Sequence, residues 1–467
     1  MHMNKRLIVF VVIVVMLVLT GCQQGGNQAD NNSTAAPDPA PQQDEQQQDT
    51  PVTIKYWAFP RWNGINGSES DGKLGDWQTD AAQRFMEQHP HVTVETEYLN
   101  FSGGPEKVAI ALQTNNIPNV FEGSVANIFE YAQRGLMLPL DDYVDATFTD
   151  DYYENIWEQV QYAGKHYYFP WGVTPQVMMV NRTLFEQAGV ADAIPTDGDR
   201  TWTFDEYYAA VKTVTDKLDD VYGTGIFANT ATGDSFALNW LWSAGATTFD
   251  PQTYKVTLNS PEGLAGLIFL KQMIDSKVAS PGAAGLSYND VATLFNQEKV
   301  ATMAVATSGY ARVIKAQQDG DIPKFDIDLV SMPSADGKPP ATFVHPIAIA
   351  VFNNEDEYTL KWSVEFAKFL AGEENAGAVK AALAYSARKS VGDLYSDSGD
   401  DNLIFANQII KYAVDGGVAV PGFNRQRVMY GNKLQKYFFG EITAEQMLAE
   451  FEQEADAIVA EEMARLN

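Results

Sequence analysis

The chain has 467 residues, 61 of them acidic and 32 basic, for a formal net charge of −29. So acidic a surface repels phosphate backbones and anionic lipid, which excludes nucleic acid as a partner and favours uncharged ligands, though a local basic pocket could still hold one carboxylate. A single cysteine excludes a disulfide framework, and the length allows two or three domains with substantial cores.

At the N-terminus Lys5 and Arg6 precede thirteen uninterrupted apolar residues, Leu7 to Leu19, and then Thr20-Gly21-Cys22. A basic region, a short apolar core and a small-residue cleavage site make a secretory signal. Thirteen residues rise only about 20 Å as a helix, short of a hydrocarbon core of roughly 30 Å. Leu19-Thr20-Gly21-Cys22 resembles the lipobox of bacterial lipoproteins, which implies a signal peptide over 1–21 and a lipidated Cys22 anchored to the cell membrane. Residues 22–51 are rich in Gln, Asn, Asp, Ala and Pro and read as a flexible tether.

The folded body starts at the β-rich run Val52 to Phe59. A Gly-rich stretch follows from Asn63 to Gly75, carrying Glu69, Asp71 and Asp76 at or beside it. It reads as a surface loop, with a lid or an oxygen-liganded Ca²⁺ loop as the alternatives. The pattern then predicts a helix over Asp76–Gln88, a strand over Val92–Tyr98, a helix over Pro105–Gln113, a short strand over Asn119–Glu122 and a helix over Ala126–Arg134. Such alternation indicates a parallel α/β sheet. Tyr167 to Gln176 is aromatic and holds two prolines, which exclude a helix, and Val177–Val180 reads as a strand.

Downstream, Thr203 to Glu206 is a capping box for a helix through Val214, and Ser260-Pro261 caps a helix over Leu264–Ile274. Ala301–Ala306 and Phe343–Phe352 read as strands. Helices are predicted over Thr359–Ala371, Glu374–Leu383 and Asp401–Val414. Thr443 caps a last amphipathic helix with Met447, Phe451, Ile458 and Met463 on one face.

Four stretches taken together resemble the extracellular solute-binding proteins of bacterial ABC importers, in particular the carbohydrate-binding group typified by maltose-binding protein. They are Ile117 to Glu122 with Tyr131 to Asp141; Gly164 to Trp171 with Val180 to Gly189; Phe295 to Val305 with Ser308 to Tyr310; and the helix Trp362 to Leu370. The resemblance spans Val52 to Asn467. It implies an α/β fold of two lobes (type II) with a hinge and an interlobe ligand cleft. The first lobe is expected to hold 52–169 plus 303–344, and the second 170–302 plus 345–467. Pro170 and Pro346 would then stand at hinge crossings, or be simple strand-end prolines.

Sugar rings present CH faces to aromatic plates and hydroxyl rims to planar polar side chains. Carried over by position, the resemblance offers Trp57, Arg61 and Trp62 after the first strand, then Glu122 and Ser124, then Trp171, Thr174 and Gln176. From the second lobe it offers Asp234, Trp240 and Tyr310, with Arg388 and Arg425 as further cleft contacts. Trp240 and Trp242 are two apart and point to different sides, so Trp240 is the one assigned to the ligand. His345 reads equally as a polar contact or as a satisfied structural histidine. No cofactor or metal is expected.

A monomer that delivers a sugar to membrane permease subunits is therefore the expectation. The alternatives are a binding protein for a peptide, polyamine or metal chelate, and a secreted polysaccharide-active enzyme. A glycosidase needs two carboxylates about 5 to 9.5 Å apart, which sequence does not fix. The chain has no His-Glu-x-x-His, Gly-x-Ser-x-Gly or phosphate loop, and no cysteine nucleophile once Cys22 is acylated.

Overall fold

In β1 (Val52–Ala58), Val52, Ile54, Tyr56 and Ala58 are buried while Thr53 and Lys55 face water, the period-two pattern of a half-buried strand. The computed structural model describes residues 50–466 apart from 101–103, 115, 125–128, 230–233 and 354–355. The predicted signal peptide, Cys22 and nearly all of the tether lie outside the described residues, as do the first three residues of the helix expected over Ala126–Arg134.

α1 (Asp76–Gln88), β2 (Val92–Tyr98), α2 (Gly104–Gln113), β3 (Val120–Ser124) and α3 (Phe129–Gln133) follow in the expected alternation. Trp77, Ala81 and Phe85 recur every four residues, which places them on one buried face of α1. β1 pairs in parallel with both β2 and β3.

Tyr167 to Gln176, where the prolines exclude a helix, and Val177–Val180, read as a strand, form one continuous strand, β4 (Tyr168–Asn181). It tolerates its prolines because Pro170 sits at a register shift, where a missing N–H costs no ladder bond. The remaining strands of the sheet are β5 (Thr302–Ala306), β6 (Ile327–Val330), β7 (Thr342–Val351), β8 (Tyr385–Ser386) and β9 (Ala413–Val414). The sheet order is β8–β4–β7–β3–β1–β2, with β9 on β7 and both β5 and β6 on β4.

β4 and β7 run antiparallel along two halves of this sheet. Tyr168 to Gly172 of β4 and Ile347 to Val351 of β7 belong to the half built on β3, β1 and β2. From Gln176 onward β4 pairs instead with β5 and β6, while Thr342 and Phe343 of β7 pair with β9. The switch falls at Val173–Pro175, opposite Val344–Pro346.

The sheet pairing differs from the expected grouping: Met303, expected to return the chain to the first lobe, pairs with Met179 in the second half of the sheet. α9 (Glu357–Leu370), placed in the second lobe by sequence, packs Val364, Phe366 and Leu370 into the core of Ile54, Tyr56 and Ile349. Tyr56 meets Phe366 edge-on at 5.2 Å. Non-sequential packing of this kind leaves no trace in local pattern.

The second half is covered by α4 (Phe204–Lys217), α5 (Asp234–Ser243), α6 (Pro261–Asp275), α7 (Tyr288–Asn296) and α8 (Thr307–Asp319), then α10 (Asp401–Gln408), α11 (Phe423–Phe439) and α12 (Ala444–Leu466). The capping box at Thr203 and Glu206 forms, and Ser260 accepts from the Gly263 amide at 3.1 Å. Two expected helices are shorter than predicted. Asp401–Val414 leaves the α-helix after Gln408 and ends in β9. Glu374–Leu383 becomes one short turn and a 3₁₀ segment that stops at Leu383, whose φ is 55°. On α12 the buried face is Met447, Leu448, Phe451, Ala455 and Val459, with Ile458 and Met463 only half-buried. Among the described residues no helix is long and apolar enough to cross a membrane.

Candidate functional site

Ligands of open α/β sheets collect outside the carboxyl ends of the strands, so that edge of β1 and β3 is the place to look. A polar network sits there. Glu122, at 0 % exposure, accepts from the Tyr56 hydroxyl at 2.5 Å and from Gln78 at 3.2 Å. Burial pushes the Glu122 carboxyl up, against the pull of those two bonds and of the Arg61 charge. Burial likewise lowers Arg61, which Glu122 partly offsets. The network holds the end of β3 against β1 and is part of the protein interior.

The tryptophans beside it are also interior. Trp62, Trp77 and Trp171 form one stack, with Trp77 and Trp171 4.6 Å apart and Trp62 5.7 Å from each. Trp171 is fully buried, and its indole N–H donates to the Asn375 carbonyl at 3.2 Å. Trp62 donates to Ile65 O at 3.2 Å. Trp57 is 7 % exposed, with the Lys107 ammonium 4.8 Å from its ring. Trp57, Trp62 and Trp171, offered by the resemblance as ligand contacts, are buried against protein neighbours in this structure.

The same holds in the second half. Trp240 is enclosed by Phe204, Tyr207 and Phe269. Gln176 is buried, donating to Ser235 Oγ at 3.1 Å and accepting from Asn239. Tyr310 is 4 % exposed, donating to Asp400 at 2.8 Å and accepting from Asn402 at 3.3 Å, and burial raises its phenol well above the ordinary value. Arg388 is spent on the Ala371 carbonyl (2.6 Å), Asp151 (2.9 Å) and the Tyr152 hydroxyl (3.0 Å). All four were expected at the ligand, and all four are held by internal partners. Thr174 is half-buried on β4. The side chains of Ser124, Asp234 and His345 lie outside what the structure describes.

The Asn63–Gly75 insertion is a loop closed by a single antiparallel bridge between Asn63 and Leu74. Glu69 accepts from the Asn66 and Ser68 amides, and Asp76 from the Lys73 amide at 2.6 Å. Glu69 is thus turned onto its own loop, while Asp71 is exposed. Among the described residues no group of three or more His, Cys, Asp or Glu could hold a metal.

Arg425, the remaining predicted contact, does line an opening. A cavity of about 490 Å³ lies between α3, which follows β3 in the first half, and the Val418–Arg425 segment of the second, with the end of α12 beside it. Gln133 of α3 donates to the Ala419 carbonyl at 3.1 Å and ties its two sides together. Phe129, Val418, Val420 and Phe423 give it apolar wall, and Gln133, Arg134, Asn424 and Arg425 give it planar polar groups. Gly422 makes the geometry possible. Its φ of 78° suits glycine, and a Cβ there would lie 2.3 Å from Ile458 of α12.

Sequence reasoning predicted these helices but did not assign α3 or the end of α12 to the site. A usable signal was present: Pro421-Gly422 breaks the chain immediately before Phe423-Asn424-Arg425, marking a loop that opens a helix. A second cavity of about 550 Å³ lies under the insertion, between Ile65–Gly67 and Leu383. Its walls are mainly aliphatic, and its one cation, Lys380, lies 5.5 Å over the Tyr395 ring.

Residues 71–377 match the family model for bacterial extracellular solute-binding proteins. A Brucella abortus protein described as a binding protein is 23% identical over 405 residues, which are 84% of this chain and 92% of that one. Among solved structures, the cyclic alpha-maltosyl-1,6-maltose binding protein of Arthrobacter globiformis superposes with a TM-score of 0.73 at 18% identity, over 88% of this chain and 99% of its own. The GacH receptor of Streptomyces glaucescens gives 0.65 at 18%, over 87% and 98%. These structures share the two-lobe α/β fold. With a sheet divided at β4 and β7 and a family match over most of its length, the chain belongs to the bacterial extracellular solute-binding proteins.

Proposed function

We propose that this protein captures a sugar or oligosaccharide for an ABC importer, holds it in the cavity between α3 and Val418–Arg425, and passes it unaltered to a membrane permease. The carrying observation is the composition of that cavity. Both sides supply apolar or aromatic wall (Phe129 on α3; Val418, Val420 and Phe423 opposite) and planar hydrogen-bonding groups (Gln133 and Arg134; Asn424 and Arg425), which together complement a pyranose. At about 490 Å³ it has room for more than one ring. The Arthrobacter relative is named for an oligosaccharide and the Streptomyces receptor was solved with acarbose, which agrees with this reading. Ligand bridging the two halves would favour their closed arrangement by differential contact alone.

A thermal-shift screen of the mature protein against di- to tetrasaccharides tests this, since a ligand that binds only the folded state raises its melting point. Against the best ligand found, Phe423→Ala and Arg425→Ala should each weaken affinity about tenfold, and the saccharide should be recovered intact. Full affinity in both variants removes the site, and cleavage of the saccharide removes the function.

In the same reading the protein works outside the cytoplasm on a lipid carried by Cys22. Wild-type protein should fractionate with membranes and Cys22→Ser with the soluble extract. Equal partition of the two would end the anchor.

A further inference from the structure

We propose that the last turn of α12 makes this cavity a charge filter that admits neutral saccharides and turns away uronates. The inference rests on the saccharide reading above and concerns Glu461, Glu462 and Arg465, to which that reading gives no role.

Three of the chain's arginines, Arg134, Arg425 and Arg465, line one cavity in a protein of net charge −29. Such a concentration would ordinarily mark a carboxylate or phosphate site, because the guanidinium fork matches those anions bidentately. Here every one of the three is already matched. Glu462 accepts from Arg425 at 2.6 Å and from Arg465 at 3.0 Å. Glu461 accepts from Arg425 at 2.8 Å through one oxygen and from Arg465 through the other. The four side chains alternate in a closed ring in which each arginine serves both glutamates. Arg134 pairs with Glu130 one turn earlier on α3. The three positive charges are thus balanced by Glu130, Glu461 and Glu462.

Neutralisation does not exhaust the hydrogen bonding. A guanidinium has five N–H groups and each carboxylate about four acceptor sites, so the ring keeps both kinds of group to offer. A sugar hydroxyl both donates and accepts and suits such a wall. A uronate's carboxylate is acceptor-only, and to engage an arginine it must displace a glutamate that would stay beside it as a like charge. Exposure keeps the ring accessible, with Arg425 at 47% and Arg465 at 61%. Gly422 sets the distance: a Cβ there would come within 3.2 Å of Glu462 as well as meeting Ile458.

The test is calorimetric titration of the mature protein with neutral gluco-, galacto-, manno- and N-acetylglucosamine oligosaccharides of two to four rings, and with oligogalacturonates of the same lengths. The wild type should bind at least one neutral oligomer and bind the uronates at least tenfold more weakly. Glu461→Gln/Glu462→Gln, which removes charge while keeping shape, should raise the uronate-to-neutral affinity ratio about fivefold at low salt, with the gain shrinking as salt is added. A merely structural role for the helix end would lower both affinities and leave the ratio where it was. Uronate binding as tight as neutral binding in the wild type, or an unmoved ratio in the double variant, overturns the filter and leaves the saccharide reading standing. Absence of binding by any oligomer overturns both.

Discussion

Trp171→Ala should lower the unfolding free energy by about 3–5 kcal/mol, the usual cost of deleting a large aromatic from a packed core. The ring is wholly buried, stacked on Trp77 at 4.6 Å and 5.7 Å from Trp62, so its loss opens a void that two other indoles cannot fill. It also leaves the Asn375 carbonyl without its indole donor. The urea midpoint should therefore fall sharply, while saccharide affinity, measured where the variant is still folded, should stay within about twofold of wild type. Trp171→Phe should recover much of the loss. A variant of normal stability with lost affinity would return Trp171 to the ligand.

Arg388→Met should cost a comparable amount, about 3–5 kcal/mol, because it breaks a buried ion pair from one side. The guanidinium, 4 % exposed, bonds Ala371, Asp151 and Tyr152 and lies 4.3 Å from the Phe148 ring and 4.4 Å from Tyr152. Burial alone would raise the Asp151 carboxyl, but hydrogen bonds from Arg388 and Ser390 outweigh it and hold the group below its ordinary value. A depressed carboxylate stabilises the fold above its unfolded pKa, near 3.8, and that contribution is lost as pH falls through the lower folded value. Wild type should thus lose part of its urea resistance on acidification below that value, and Arg388→Met should lose less. Identical acid dependence in the two proteins would contradict the assignment.

Much of the fold was legible because its signals are local. α1 and β2 have their predicted limits, and Thr203, Ser260 and Thr443 start their helices with the expected caps. The unity of β4 was hidden because Pro170 and Pro175 mark a break in most contexts, and only pairing with β7 makes them tolerable. The sheet pairing departs from the expected lobe grouping for a related reason. Nothing within Thr302–Ala306 or Glu357–Leu370 says which half of a shared sheet will receive it.

The site was legible only in part. Residue type points to sugar chemistry but does not say whether a face is open. Trp62, Trp77 and Trp171 lie far apart in sequence and became each other's partners, whereas Arg425 kept an exposed position. The end of α12 escaped notice because helical periodicity singles out the buried stripe, Met447 to Val459, and treats Glu461, Glu462 and Arg465 as solvated surface.

The most direct measurement is a crystal structure of the mature protein with the tightest oligosaccharide from the screen. Sugar rings lying against Phe423, with hydroxyls on Arg425 and the Gln133 side of α3, are the predicted result. A saccharide seated under the Asn63–Gly75 loop, or one contacting a single half of the sheet, would contradict the account.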